Sequence, residues 1–548
     1  MTFSKDSALP LVDIFATIGF NNHNILYSSA VLLGIPRNTM NIQPNRIDLL
    51  RITQRKEALI EEDKETKTTI GTLHLTIHHL IFNYSEDEIW IPYSIVHIVE
   101  RQPPSFQTGR YPIQIKCRDF SVITLSFLKD GDALDVYESI QRLACVSSID
   151  QLYAFSYQPR EPFTTNDGWN IYDPIKEYER MGVDVSTDQW RFSLINRDYK
   201  YSPTYPRVLV VPAKISDTTL NYAAKYRSKA RIPALSYVHW YNSATITRSS
   251  QPLVGFKQAR SVQDEKLIEA IFSSNVPTGP NGETLYGSTA ANLIIDARPM
   301  ANAVGNVARG AGTENMDHYR NCKKVYVAID NIHVMRDSLT KLTEGWLRHI
   351  ALILDGALTI VKNVHVYNSH VLVHCSDGWD RTTQLVALSE LCLDPFYRTF
   401  EGFQILIEKD WVSFGHKFQD RCGHLTNDPK FTQQKETSPV FHQFLECIYQ
   451  LLCLYPTRFE FTEAFLIELH YHLYACQFGT FLFNSESDRR GSSIHAQSKT
   501  YSIWDYFNTY KHEKGFINEC YDPMKDKDLV DDGGVLMPDP TKYIKVNG

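Results

Sequence analysis

One segment of this 548-residue chain combines the residue types that break phosphate esters. Cys375 follows the apolar run Val371–Val373, and Arg381 stands six positions after that cysteine. A cysteine thiolate is a nucleophile, and an arginine holds two phosphate oxygens in a planar fork that a lysine cannot form. Gly378 lies between them, in a loop predicted to aim backbone N–H groups at one bound dianion. The segment therefore predicts covalent phosphate chemistry at Cys375.

The flanking residues supply the elements that such a loop requires. Val371–Val373 indicate a buried strand, and apolar residues recur at helical spacing after Arg381 until Pro395 ends the pattern. A helix N-terminus carries a partial positive charge that favours an anionic sulfur and a bound phosphate. Strand, loop and helix thus place a nucleophile, a phosphate cradle and a charge clamp within seven residues.

The chain contains a second cysteine and arginine at the same spacing, Cys392 and Arg398. This pair lies at the end of the predicted helix, has no glycine between its members and contains Pro395, which removes an N–H. A cysteine on an apolar helix face is usually a core residue. We therefore predict packing for Cys392 and chemistry for Cys375.

The composition is that of a globular protein, with 43% apolar and 22% charged residues. It excludes a disordered chain, a collagen or a coiled-coil rod, and the length predicts about two to four domains. A net charge of −7 argues against a general nucleic-acid binder. Ten scattered cysteines without a Cys-x-x-Cys pair predict reduced thiols and no metal site. Without a secretory leader or an apolar run of about 20 residues, we expect a cytoplasmic protein.

The first third of the chain shows the alternating apolar pattern of β-strands, as at Leu73, Leu75 and Ile77. The period then changes to that of a helix near Ala133, behind an expected cap at Asp132. Antiparallel strands closed by one C-terminal helix predict a small barrel of the pleckstrin-homology kind.

In the remainder of the chain strands and helices alternate, which predicts a large α/β domain. Apolar spacing predicts one helix from about 337 to 357 and two more over 441–452 and 465–473. The Ser-rich stretch 485–499 predicts a mobile surface loop, and 526–548 an irregular tail.

The run HCSDGWDRT, His374–Thr382, resembles the active-site signature of the myotubularin phosphoinositide 3-phosphatases, whose Gly-Trp-Asp core is unusual among cysteine phosphatases. Other blocks similar to that family occur in matching order. They are YPRVLVVP (205–212), RSSQPLVG (248–255), DARP (296–299), NAVGN (302–306), DNIHVMR (330–336), FGHKFQDRCGH (414–424) and SPVFHQF (438–444).

This resemblance implies three parts: a PH-GRAM-like barrel over 1–150, a large cysteine-phosphatase α/β domain over 165–525, and the tail 526–548. It implies removal of the 3-phosphate from phosphatidylinositol 3-phosphate and phosphatidylinositol 3,5-bisphosphate through a phosphocysteine intermediate, without a cofactor. It also implies peripheral association with phosphoinositide-containing membranes of endosomal or vacuolar type. Homo- or hetero-oligomers with related phosphatases are a further expectation.

Matching positions carry the family's functional residues onto this sequence. The resemblance implies that Cys375 is the nucleophile and Arg381 the phosphate clamp. The implied cradle consists of Ser376, Asp377, Gly378, Trp379 and Asp380, and the implied lining of the substrate site of Asn306, Asn331 and Ile332. Arg421 matches a basic residue that reaches the substrate's second phosphate. Lys417 departs from the family's usual arginine, which keeps the charge but loses the bidentate fork.

The leaving inositol oxygen needs a proton, and the resemblance favours an Asp inside the signature as its source. Asp380 is the first candidate and Asp377 the second. In the alternative interpretation, either carboxylate only accepts hydrogen bonds from loop amides.

Two other functions stay open at this point. One is a cysteine phosphatase that acts on phosphoproteins, and the other is a catalytically weak adaptor that only binds lipid. Inactive members of the family lose the Cys or the Arg of the signature, whereas Cys375 and Arg381 are both present here.

Basic residues concentrate between Arg197 and Arg260, where eleven Lys and Arg stand against two Asp. One interpretation is a surface that docks on an anionic leaflet, with about 1 kcal/mol for each basic residue near the membrane. The other is an ordinary solvated charged face.

Overall fold

The first third of the chain forms one antiparallel sheet of seven strands, in the order β4-β3-β2-β1-β7-β6-β5. Its strands are β1 (Lys56–Glu61), β2 (Thr69–Leu75), β3 (His79–Tyr84), β4 (Asp87–Pro92), β5 (Val96–Arg101), β6 (Tyr111–Cys117) and β7 (Val122–Phe127). The computed structural model describes residues 56–61, 69–84, 87–106, 109–187, 189–274, 291–341, 344–426, 435–491, 494–525, 534–539 and 542. The predictions for residues 1–55 and for most of the tail lie outside the described residues.

Helix α1 (Asp130–Leu143) follows the sheet and closes this domain, as predicted. Alternate residues of β6, Ile113, Ile115 and Cys117, point into a core that also receives Val136 of α1. The helix begins earlier than the expected cap at Asp132, because Lys129 is the N-cap residue and the aspartate lies in the first turn. A carboxylate there still faces the positive end of the helix dipole.

The second domain is built on a five-stranded sheet in the order β10-β11-β14-β12-β13. Its strands are β10 (Ala234–Val238), β11 (Thr245–Ser249), β12 (Asn292–Asp296), β13 (Cys322–Tyr326) and β14 (Val371–His374), and β8 (Trp190–Ser193) pairs with β9 (Leu209–Pro212) in a small second sheet. The central strand β14 is parallel to both neighbours, and its last residue, His374, is in register with Ser249 and Asp296. The carboxyl ends of β11, β12 and β14 therefore lie side by side at the same edge of the sheet.

Helices surround this sheet, which confirms the predicted α/β domain. They are α2 (Pro174–Arg180), α3 (Asp217–Ala224), α4 (Val262–Phe272), α5 (Met300–Gly305), α6 (Ile332–Lys341), α7 (Glu344–His365), α8 (Arg381–Leu393), α9 (Phe400–Leu406), α10 (Phe418–Cys422), α11 (Val440–Leu454), α12 (Glu463–Ala475), α13 (Glu486–Gly491), α14 (Ala496–Lys499) and α15 (Ile503–Tyr510), with a π-helical turn at Ile407–Ser413. Within the described part of the chain, no helix is long and apolar enough to cross a bilayer.

Two local predictions were wrong. The single helix expected over 337–357 is divided between α6 and α7. The loop expected over 485–499 contains α13 and α14, because Arg489 is buried and ion-paired with Glu408 while its guanidinium lies 4.6 Å from the ring centre of Trp169. The spacing of apolar residues does not reveal a segment whose position is fixed by a single buried ion pair.

The two domains contact each other through the turn between β6 and β7 and through Ser94, which lies between β4 and β5. Arg118 in this turn donates hydrogen bonds to the carbonyl oxygens of Cys422 and Gly423, at 2.7 Å and 2.9 Å. Ser94 donates to the carbonyl of Ala475 at 2.8 Å, and Ala475 is buried in the core of the first domain. The first domain is thus attached to the carboxyl ends of α10 and α12.

Candidate active site

Cys375 lies in the loop between β14 and α8, at the edge where β11 and β12 also end. The side chain is buried, and its Sγ accepts a hydrogen bond from the backbone N–H of Gly378 at 3.2 Å. The strand, loop and helix predicted around this cysteine are all present. The loop thus turns at least one of its N–H groups toward the sulfur, as a site for an anionic nucleophile requires.

Gly378 is required by the path of this loop. Its φ of +80° lies in the left-handed region, and a Cβ there would approach the carbonyl oxygen of Ser249 to 2.3 Å. The carbonyl of Gly378 accepts hydrogen bonds from the guanidinium groups of Arg231 and Arg248, at 2.9 Å and 3.1 Å. Two arginines below the loop therefore fix its shape.

Those two arginines, with Arg227, were counted in the basic segment, and all three are fully buried. Arg248 is ion-paired with Asp410 at 2.9 Å and Arg227 with Asp264 at 2.7 Å. The interpretation of the whole segment as a charged surface was wrong for these residues, since counting charges does not detect burial.

Arg381 is the first residue of α8 and is half-buried beside the catalytic loop. Its guanidinium donates to Ser376 Oγ at 3.3 Å and to the carbonyl of Ile329 at 3.2 Å. These contacts hold it next to the loop that contains Cys375, with further N–H groups left for a bound phosphate.

Asp380 occupies the N-cap position of α8 but does not cap it. Arg421 donates to both of its carboxylate oxygens, at 3.2 Å and 2.9 Å, and His416 Nδ1 lies 3.0 Å from Oδ1. Burial raises the pKa of Asp380, but the Arg421 charge and the His416 hydrogen bond together outweigh burial and hold it well below its usual value. The carboxylate is therefore ionised in this state.

Asp377 has a different environment. It is half-buried, and its Oδ1 accepts a hydrogen bond from the Ser228 hydroxyl at 3.0 Å. Among the described residues no cation is ion-paired with it. The two candidate acids are thus a buried carboxylate bound to an arginine and a more accessible carboxylate bound to a hydroxyl.

The two predicted basic residues lie together at one side of the loop. Lys417 Nζ is 4.9 Å from the ring centre of Trp379 and 3.3 Å from Asp420. Arg421, one helical turn later, also binds Glu436 at 3.1 Å. In this structure Lys417 and Arg421 are both ion-paired with carboxylates.

Asn306 lies just after α5, and Asn331 and Ile332 lie at the start of α6. Asn306 donates to Gln251 at 3.1 Å, and Gln251 in turn donates to the carbonyl of Ser376 at 3.0 Å. The Asn331 side chain accepts the N–H of residues 333 and 334 at the start of α6. The carbonyl of Ile332 accepts from Ser438, whose own N–H donates to Arg421. Asn306 and Ile332 are thus each linked to the site by two hydrogen bonds, whereas the side-chain hydrogen bonds of Asn331 stay at the start of α6.

A buried ionic network behind the loop was missed by sequence reasoning. His374 Nε2 lies 3.0 Å from Glu314, which also binds Arg227 at 2.7 Å. Burial by itself raises the pKa of Glu314, but His374 and Arg227 outweigh it and lower that pKa well below the usual value. Glu314 and Arg227 are distant from His374 in sequence. The only feature of the sequence that pointed to this network was the histidine directly before Cys375.

The second cysteine and arginine pair behaves as predicted. Cys392 lies on the buried face of α8, where burial raises its thiol pKa to about 12. The fully buried Arg398 donates to backbone carbonyls, among them that of Cys392 at 3.2 Å. Spacing alone therefore does not make a phosphate site.

A buried thiol that accepts a backbone N–H between a parallel strand and a helix, with an arginine at the helix start, defines the site of a cysteine-dependent phosphatase. The sequence profile of the Myotubularin-like phosphatase domain matches residues 152–490, and that of the MTMR6-9, GRAM domain matches residues 55–144. The chain belongs to the myotubularin family.

Several curated proteins are similar to this chain over most of its length. Mouse phosphatidylinositol-3,5-bisphosphate 3-phosphatase MTMR6 is 42% identical over 476 residues, covering 83% of this chain and 73% of the relative. Human phosphatidylinositol-3-phosphate phosphatase MTMR7 is 41% identical over 487 residues, covering 84% and 70%. Chicken phosphatidylinositol-3,5-bisphosphate 3-phosphatase MTMR8 is 40% identical over 479 residues, covering 83% and 72%.

Proposed function

We propose that this protein removes the 3-phosphate from phosphatidylinositol 3-phosphate and phosphatidylinositol 3,5-bisphosphate. The observation that carries the proposal is the loop from Cys375 to Arg381, in which a buried sulfur faces a backbone N–H and a guanidinium stands beside it. The names of the relatives MTMR6, MTMR7 and MTMR8 support this choice of substrate. The domain limits 1–150, 165–525 and 526–548 are part of the proposal.

The reaction proceeds in two displacements. The Cys375 thiolate attacks phosphorus while Arg381 and the loop N–H groups hold the equatorial oxygens, and the bond from phosphorus to the inositol 3-oxygen breaks. Protonated Asp380 gives its proton to that leaving oxygen. Water then attacks the phosphocysteine, its proton returns to Asp380, and phosphate and the thiolate are released.

The second phosphate of the substrate is assigned to Lys417 and Arg421. A phosphate dianion competes with Glu436 and Asp380 for the Arg421 guanidinium, since arginine binds both groups through the same bidentate fork. Removing Arg421 from Asp380 raises the affinity of that carboxylate for a proton. Asn306, Asn331 and Ile332 complete the proposed substrate site, with Asp377 as the alternative acid.

We infer that the protein acts as a peripheral protein on phosphoinositide-containing membranes of endosomal or vacuolar type. Its GRAM domain and the exposed basic residues of 197–260 support this inference. Assembly with itself or with related phosphatases is a further part of the proposal, to be measured by the mass of the protein in solution.

The test is phosphate release from a panel of short-chain phosphoinositides. The wild type is expected to release phosphate from the 3-phosphate and the 3,5-bisphosphate but not from the 4-phosphate, and Cys375→Ser to release none. Cys392→Ser, with the same Cys and Arg spacing, should retain activity. Full activity of Cys375→Ser would overturn the proposal. Faster turnover of a phosphopeptide than of lipid would instead indicate that phosphoproteins are the substrate.

A further inference from the structure

Large apolar side chains are exposed in the two segments that follow β11 and β12. Phe256 is 77% exposed, Met300 61% and Val304 55%, and Leu253 is also exposed. We call these four residues the rim. Single exposed apolar residues are ordinary, but a cluster surrounded by polar residues marks an interaction site.

The two segments of the rim pack directly against each other. Gly255 donates its N–H to the carbonyl of Ala311 at 3.0 Å. A Cβ at Gly312 would lie 3.3 Å from both Val254 and Val307, so both valines contact this position. The loop that contains Leu253 and Phe256 therefore packs against the segment that follows α5, the helix that contains Met300 and Val304.

Gln251 connects this surface to the catalytic loop. Its N–H donates to the carbonyl of Ser376 at 3.0 Å, and its side-chain oxygen accepts from Asn306 at 3.1 Å. Gln251 is buried, and two residues later Leu253 belongs to the rim. The loop that contains Leu253 is therefore attached through Gln251 to the residue that follows Cys375.

The charge around the rim is positive. The sequence contains no Asp or Glu from 218 to 263 or from 297 to 313. Lys229, Lys257 and Arg309 are exposed, and none of them has an ion pair in the part of the chain that the structure describes. Lys225 lies 5.0 Å from the ring centre of the exposed Tyr222. Apolar side chains beside cations and an aromatic ring are the composition of a membrane interface.

We propose that the rim inserts into the surface of an anionic bilayer, with Lys229, Lys257 and Arg309 next to the lipid phosphates. This inference rests on the proposed function, because a substrate with acyl chains stays in its leaflet while its head group enters the site. The rim then holds the catalytic loop at the depth of that head group. An acidic protein partner is the competing occupant, and the test distinguishes the two.

The test compares a rim variant, Phe256→Ser with Met300→Ser, with a matched control, Val366→Ser with Tyr367→Ser. Val366 and Tyr367 are 51% and 50% exposed but precede β14, at the opposite edge of the sheet. Each protein is assayed on soluble short-chain phosphatidylinositol 3-phosphate and on the long-chain lipid in vesicles of phosphatidylcholine and phosphatidylserine. Sedimentation with the same vesicles measures binding.

We expect vesicle binding and turnover of the vesicle substrate by the rim variant to fall by on the order of tenfold to a hundredfold, because two apolar side chains are no longer buried in the bilayer. Its turnover of the soluble lipid should stay within about twofold of wild type. The control should match wild type in every assay, and Phe256→Trp should bind vesicles as wild type does.

Unchanged vesicle binding by the rim variant would overturn the proposal and favour a protein partner. An equal loss on soluble and vesicle substrate would also overturn it, because the rim would then only support the catalytic loop. If the proposed function itself fails, wild type releases no phosphate from the soluble lipid, while sedimentation still reports whether the rim binds the bilayer.

Discussion

Arg421 binds both carboxylate oxygens of Asp380, at 3.2 Å and 2.9 Å, across 41 residues of sequence. The pair joins the residue assigned to the substrate's second phosphate to the residue assigned to proton donation. While it is intact, Asp380 stays ionised and cannot donate a proton. In the proposed mechanism, recognition of the second phosphate and protonation of the leaving oxygen therefore both depend on the Arg421 guanidinium.

Replacing Asp380 by Asn should lower kcat on phosphatidylinositol 3-phosphate by about 10² to 10⁴, the usual contribution of a general acid. Asp377→Asn should cost only a few-fold, since it removes one described contact, with Ser228. An aryl phosphate whose leaving group needs no proton should restore most of the rate of Asp380→Asn. Equal losses of activity on both substrates would show that Asp380 stabilises the loop and does not donate the proton.

Lys417→Arg should lower KM for phosphatidylinositol 3,5-bisphosphate about tenfold, because the guanidinium adds a charge-assisted hydrogen bond. The KM for the monophosphate should change less and kcat should stay constant. The measurement is initial rates on both short-chain lipids. Lys499→Arg, on the exposed α14, is the matched control. An unchanged KM for the bisphosphate would remove Lys417 from the proposed binding site.

Gly378→Ala should reduce turnover at least about a hundredfold, since the new Cβ would lie 2.3 Å from the Ser249 carbonyl oxygen and the loop must move away. Gly131→Ala is the control: it lies in α1, and nothing lies within 4 Å of the added Cβ. Circular dichroism separates loss of activity from loss of fold. A fully active Gly378→Ala protein would contradict the assigned loop geometry.

Glu314→Gln should reduce the free energy of unfolding at pH 7 by about 3–5 kcal/mol, the cost of breaking a buried ion pair. Glu265→Gln, which removes the surface pair with Arg260, should cost about 0–1 kcal/mol. Both values come from urea titrations followed by tryptophan fluorescence.

The pH dependence of this difference has a definite sign. The pKa of Glu314 is lowered by folding, so ionised Glu314 stabilises the protein above its unfolded pKa of about 4.3, and that contribution is lost as the pH falls further. The wild type and Glu314→Gln should therefore converge in stability below that pH. A constant difference from pH 7 to pH 3 would show that the lost stability is not electrostatic.

The local part of the site could be predicted from sequence, whereas its long-range contacts could not. Apolar runs on either side of Cys375 predict the strand and helix, since neighbouring residues determine them. The pair of Asp380 with Arg421 depends on tertiary packing, and no spacing rule reports it. Arg231 and Arg248 were counted as surface charge because composition does not show that backbone carbonyls hold them inside.

The hydrogen bonds of Arg118 to Cys422 and Gly423 connect the amino-terminal domain to the helix that contains Arg421. These carbonyls end α10, the short helix of five residues that contains Arg421. A helix this short has little stability of its own, so its orientation depends on what is bound to its end. We therefore expect a phosphatase domain without the GRAM domain to distinguish phosphoinositide head groups less well than the full chain does.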